Sequence, residues 1–235
     1  MPTYIDPFTD FGFKRIFGSE ESKPLLISFL NDLLPIEDKI VSLNFNKNEY
    51  AGMLKEDRRA IFDINCTDEK DNILYFVGIL NFAVSDFNDD NYLHYGQITD
   101  RDTNSVMYDK LSFIYIELPK FKKTEAQLSN HLEKWLWFFN KLSELDEIPE
   151  SFKKDIIKDA FSLSELAKMK PEKRKEYELS LKYHRDWVNT MDTAVAKGIN
   201  KRNIEIAKNL LKAKVDIETI EASTGLSRDE IDSLK

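Results

Sequence analysis

Two neighbouring stretches in the first half of the chain carry unlike hydrophobic patterns. Residues 60–66 alternate: Phe62, Ile64 and Cys66 fall on one side, and Ile61, Asp63 and Asn65 on the other, the period-2 pattern of a strand with two different faces. Residues 73–82 are apolar almost throughout, as a strand covered on both faces requires. Only a short polar segment separates them. The two are therefore predicted to pair as an antiparallel hairpin, because a parallel pair needs a far longer crossover.

Helical periods flank this pair. Residues 10–17 are predicted as a helix capped by Asp10 and stopped by Gly18. A second helix runs from about Ser22, with Leu25, Leu26, Phe29, Leu30, Leu33 and Leu34 at helical spacing until Pro35. Val41, Leu43 and Phe45 alternate and predict a short strand, followed by a polar loop over 46–59. The acidic, asparagine-rich residues 85–101 predict an exposed loop or small hairpin. Residues 111–118 return to strand character, ended by Pro119. From Thr124, which with Gln127 makes a candidate capping box, Leu128, Leu132, Trp135, Phe139 and Leu142 mark one face of a helix. Trp137 and Phe138 widen that stripe beyond one core face; it is expected to pack the helical region against the sheet, with a dimer surface as the alternative for part of it. Further helices are predicted over 151–168 and, after Pro171, along a stretch marked by Tyr177, Leu181, Val188, Met191 and Val195 and weakened at Gly198. Residues 204–235 read as three short helices, with Ser227 and Glu230 as a second capping box.

Composition narrows the class. The 235 residues suit one domain or one plus an appendage, and 42% hydrophobic content can fill a core. A net charge of −8 argues against a surface that is basic overall, but leaves room for a local basic groove. One cysteine, Cys66, excludes an internal disulfide and suits a reducing compartment. No apolar run approaches the roughly 20 residues of a bilayer span, and no signal peptide is visible, so a cytoplasmic location with no membrane partner is expected. His94, His131 and His184 fall in separate elements, which gives no zinc pattern. Between residues 168 and 185, seven Lys or Arg face three Glu, with Tyr177 and Tyr183 interleaved. This is either a solvated helix face or a nucleic-acid surface.

Several short runs occur in a telling order: Thr9-Asp10-Phe11-Gly12-Phe13-Lys14-Arg15-Ile16-Phe17-Gly18, Leu30-Asn31-Asp32-Leu33-Leu34, Phe62-Asp63-Ile64, Glu117-Leu118-Pro119-Lys120-Phe121, Ser180-Leu181-Lys182-Tyr183 and Thr224-Gly225-Leu226-Ser227. Together they resemble the Rpn-type recombination-promoting nucleases, transposases of the PD-(D/E)XK nuclease superfamily, over nearly the whole chain. The resemblance implies an α/β fold: a restriction-endonuclease-like mixed sheet core followed by a helical C-terminal region. It divides the chain into a nuclease-like core over 1–122, a helical region packing on it over 123–198, and a small helix-turn-helix-like tail over 199–235.

One departure stands out. Family members follow the Asp strand with a strand bearing Glu-x-Gln, then a helix with an Arg and paired Tyr. Here Asp68-Glu69-Lys70-Asp71-Asn72 runs straight into the apolar strand. Either an internal deletion has removed that strand and helix, leaving a depleted core, or residues 76–80 take the strand's place, with Gly78 for Glu and Leu80 for Gln. Both accounts lose the same two groups.

The chemistry implied by the resemblance is Mg²⁺-dependent phosphodiester hydrolysis, with two carboxylates on adjacent strands holding the ion. Asp63 is the candidate metal ligand and catalytic acid; otherwise it is a hydrogen-bonded strand residue. Glu117 and Lys120, close together at a strand end, are substitute candidates against the reading of a solvated end. Asp10 reads as a helix cap. Lys14, Arg15, Lys173, Arg174 and Lys175 are candidate phosphate contacts. In the tail, Asp229, Glu230 and Asp232 outnumber Arg228 and Lys235 on the would-be reading helix, which disfavours phosphate. The expected function is thus a DNA-related protein with weak or no cleavage. The alternative is a non-catalytic interaction or regulatory protein that oligomerises with itself or with an intact paralogue.

Overall fold

The computed structural model describes residues 2–34, 39–42, 62–67, 74–80 and 90–234, with only the backbone described for 62–67 and 74–76. Helix α1 (Asp10–Phe17) is capped by Thr9, whose Oγ1 accepts from the Gly12 N–H at 2.9 Å. Asp10 is therefore not the cap. It lies inside the first turn, where its charge suits the helix dipole and pairs with Lys14 at 2.8 Å. Thr9 Oγ1 also donates to the Asp6 carbonyl, and a Cβ on Gly12 would lie 2.1 Å from that carbonyl oxygen. Only glycine fits there, which accounts for the Phe-Gly-Phe run. Helix α2 (Lys23–Leu33) carries Pro24 in its first turn, where no N–H is missed, and ends at Leu34 as predicted.

The sheet has four strands: β1 (Phe62–Thr67), β2 (Leu74–Leu80), β3 (Leu93–Thr99) and β4 (Val106–Glu117), in spatial order β1-β2-β4-β3. β1 and β2 pair antiparallel, as their short connection dictates. β2 and β4 are parallel, and the return between them includes β3 itself, antiparallel to β4. The sheet is therefore mixed. Residues 39–42 form no strand, while Leu43, Phe45 and the predicted loop over 46–59 lie outside the described residues. β4 starts at Val106 rather than Leu111. Its first half pairs with β3 in a ribbon that leaves Val106, Met107, Tyr108 and Tyr95 exposed.

The helices after the sheet begin later than their patterns suggest. The Thr124–Gln127 capping box forms, but it closes a single 3-10 turn, Glu125–Gln127. Helix α3 (His131–Lys141) starts afresh at Asn130, whose side chain accepts from the Glu133 N–H. Its aromatic stripe is wholly covered: Trp135, Leu136, Trp137, Phe138 and Phe139 are all buried. The stripe is therefore packed, and the alternative of a dimer surface on this helix is overturned. α3 packs on α1 and α2 through one side and on Phe152 and Phe161 through another, so the wide stripe is core. Helix α4 is only Ile157–Ser164, flanked by 3-10 turns.

Helix α5 (Pro171–Lys212) runs through Gly198 without a break and absorbs the first of the three tail helices. It is followed by α6 (Ile217–Thr224) and α7 (Arg228–Asp232). By contacts the chain divides into two units, Met1–Leu181 and Lys182–Lys235. The second has its own small core of Ala207, Ile220, Leu226 and Ile231. Asp216 caps α6, Gly225 ends it in the left-handed region at φ 69°, and Ser227 and Glu230 form the expected capping box of α7. Among the described residues no helix is long and apolar enough to cross a membrane.

Candidate functional site

The backbone register sets out one row across the sheet. Asp63 on β1 stands across from Gly78 on β2, Gly78 across from Tyr115 on β4, and Tyr115 across from His94 on β3. Position 78 therefore offers no side chain beside Asp63. A Cβ there would lie 3.0 Å from Tyr115 Cδ1 and 3.2 Å from its Cε1, so the tyrosine ring occupies the space a side chain would need. Two residues on, Leu80 is buried across from Glu117. The strand next to Asp63 thus presents a hydrogen atom and an aliphatic chain at 78 and 80.

Glu117 is not at a solvated strand end. It is fully buried, with Lys120 Nζ at 2.6 Å and His94 Nε2 at 2.8 Å from the same carboxylate oxygen. Lys120 reaches back because β4 closes into a 3-10 turn, Leu118–Lys120. Asn140 of α3 donates to the Leu118 and Phe121 carbonyls and holds that turn in place. Burial of such a carboxylate is tolerable only with charged partners, and Lys120 is one. From Asp63, Glu117 is two strands away, about 10 Å laterally, and two residues further along. The sequence pattern, which reads residues 85–101 as an exposed loop or small hairpin, does not single out His94 as a partner of Glu117; the hairpin alternative is the one β3 and β4 form. The run Tyr92-Leu93-His94-Tyr95, with Ile98 beyond it, was the available signal.

Three of the candidate phosphate contacts come together elsewhere in the first unit. A cleft of about 410 Å³ is lined by Lys14 and Arg15 of α1 and Lys173 of α5, with Asp10, Glu176 and Ser180. The α5 wall is positioned by hydrogen bonds from the Asp6 N–H to Tyr177 Oη at 2.9 Å and from the Phe11 N–H to Ser180 Oγ at 3.2 Å. Lys14 and Lys173 pair with Asp10 and Glu176, and Arg15 Nε donates to the Leu163 carbonyl at 3.2 Å. Arg174 and Lys175 do not line the cleft; Arg174 pairs with Glu178.

A further charged cluster escaped the sequence pattern. His131, the first residue of α3, is held between Asp32 of α2 on Nδ1 and Asp155 on Nε2, the latter at 2.8 Å, and Lys134 also reaches Asp155 at 2.8 Å. Burial alone would lower the His131 pKa, but the hydrogen bonds to Asp155 and Asp32 and their charges outweigh it and hold it above the ordinary 6.5. Burial pushes Asp155 up, yet Lys134 and His131 hold it below the usual carboxylate value. A raised histidine pKa stabilises the fold fully below about pH 6.5 and loses that contribution as pH rises through the raised value. The Asp155 contribution is lost at the other end, as pH falls through its lowered value. In thermal melts, the gap between wild type and His131→Gln is therefore expected to be widest near pH 6 and to shrink steadily in more alkaline buffer.

A family model described as PD-(D/E)XK nuclease family transposase matches residues 7–75 and 68–194. The chain belongs to this family. A second model, described as the Rpn/YhgA-like nuclease family, C-terminal HTH domain, matches residues 200–235. No curated protein and no solved structure matches. The mixed α/β sheet with a helical C-terminal region is consistent with the family's fold, and membership makes this a DNA-related protein. The family generally uses a divalent metal. Gly78 and Leu80, on the strand beside Asp63, carry no side-chain oxygen of the kind Mg²⁺ takes. Among the described residues no group of three or more His, Cys, Asp or Glu is placed to hold a metal ion.

Proposed function

We propose that this family member associates with DNA but has lost most or all of its metal-dependent cleavage, because Asp63 lacks a carboxylate on the adjacent strand. The observation that carries this is Gly78 across from Asp63, with the Tyr115 ring where a longer side chain would go. One carboxylate is a weak anchor for an ion that gives up its waters reluctantly. Glu117 is a poor substitute, since Lys120 and His94 already share its charge. The two matched segments overlap at residues 68–75, where β1 gives way to β2, which supports an internal deletion there. Lys14, Arg15 and Lys173 supply phosphate contacts in the α1–α5 cleft, and the match of the tail to a helix-turn-helix model supports association with DNA, although the acids of α7 keep that helix itself from gripping phosphate. A place in recombination or transposition, in the cytoplasm, follows from the family.

The test is plasmid nicking with Mg²⁺ or Mn²⁺, comparing wild type with Asp63→Asn. Equal, near-background conversion is expected for both. Robust cleavage by the wild type that Asp63→Asn abolishes would overturn the proposal.

A further inference from the structure

The three cations of the α1–α5 cleft are not equivalent. Lys14 pairs with Asp10 and Lys173 with Glu176, both acids of the same cleft. Exposed pairs of this kind are weak, so either ammonium group can turn to a ligand. Arg15 is half-buried, and only its Nε is used, on the Leu163 carbonyl. Among the described residues it has no carboxylate partner. Both terminal NH₂ groups remain, on a planar fork that the Nε bond holds in place. Ser180 Oγ accepts from the Phe11 N–H, which leaves its own O–H to donate into the cleft it lines. The result is an anion seat with one unneutralised charge.

Resting on the phosphate contacts proposed above, we propose that this cleft takes the terminal phosphomonoester of one nucleotide, seated on Arg15, and not the phosphodiesters of a continuous strand. Size is the first reason. About 410 Å³ is more than a bare phosphate fills and lies in the range of small-ligand pockets, and Phe11 in the lining gives a sugar or base an apolar wall. Charge is the second. A phosphomonoester carries about two negative charges at neutral pH and three acceptor oxygens, which the guanidinium fork, the lysines and the hydroxyl can meet together. A continuous backbone would carry its next phosphates past Asp10 of α1 and Glu176 of α5, and both acids repel them. The phosphomonoester comes either from a phosphorylated strand end or from a free nucleotide.

The test is fluorescence anisotropy of the 235-residue chain in EDTA. The probes are short single strands alike except for a 5′-phosphate, a 3′-phosphate or neither, and deoxyadenosine 5′-monophosphate is titrated separately by calorimetry. A gain of about tenfold for one phosphorylated strand over the bare one, the scale of a charge-assisted contact, is expected. Arg15→Gln should erase it. Mononucleotide binding that Arg15→Gln abolishes, with no preference among the strands, assigns the cleft to a free nucleotide. Thermal melting checks that Arg15→Gln is folded; Lys173→Gln, at an exposed position, should lose part of the same gain and serves in its place if it is not. A gain untouched by both substitutions overturns the proposal. Strands bound alike, with no mononucleotide binding, also overturn it and leave association with DNA standing. Failure to bind any strand contradicts association with DNA; the cleft is then judged by the mononucleotide alone, whose failure to bind overturns the proposal.

Discussion

Phe17→Ala should lower the unfolding free energy by about 3–5 kcal/mol, the cost of truncating a buried phenylalanine that leaves a cavity. Phe17 is the last residue of α1 and only 1% exposed. Its ring lies 5.4 Å from Phe13, 5.4 Å from Phe29 of α2, and 5.6 and 5.7 Å from Trp135 and Phe139 of α3. Three helices meet on this one side chain. The hole is lined by rigid rings that do not collapse readily, which places the cost in the upper part of the range. Total stabilities run at about 5–15 kcal/mol, so the loss is a large fraction of the whole. Urea denaturation followed by tryptophan fluorescence should show the midpoint fall sharply, with Phe17→Leu intermediate.

Lys120→Met should cost about 3 kcal/mol, the lower end of what breaking a buried ion pair costs. The methionine keeps the packing of the stem and removes only the charge. Glu117 stays fully buried, with His94 as a remaining partner 2.8 Å away, which moderates the penalty. The double variant Glu117→Gln/Lys120→Met should recover part of the loss, because no uncompensated carboxylate then remains in the interior. Urea midpoints of the two variants and the wild type check this directly. A double variant no more stable than Lys120→Met would show that the charge pair is not what the turn after β4 depends on.

The central hairpin was legible because two local rules agree on it: period-2 or continuous apolar pattern, and a connection too short for parallel pairing. The boundaries of α3 were not. Thr124 and Gln127 satisfy the capping-box pattern, and nothing nearby distinguishes a cap that starts a long helix from one that closes a single turn. β3 was hidden by the Asp and Asn residues around it, and the first half of β4 by Asp109 and Lys110. Charged residues are tolerated there because the ribbon stands clear of the core. The His131 site was invisible for a different reason. Its carboxylates come from positions 99 and 24 residues away in sequence, so only the packing of α2 and α3 and the approach to α4 bring them together. Asp63 was conspicuous as the one carboxylate in its strand, and the meaning of Gly78 emerged only once the register placed it directly across from that acid. Lys14, Arg15 and Lys173 were each visible as cations. Their meeting in one cleft depends on Tyr177 and Ser180 anchoring α5 to the start of α1.

The most direct measurement is a Mn²⁺ titration of the 235-residue chain followed by electron paramagnetic resonance, with Asp63→Asn alongside. Binding weaker than about 1 mM, and the same in both proteins, is expected if a lone aspartate facing a glycine cannot retain the ion. A single tight site in the wild type that disappears in Asp63→Asn would contradict it.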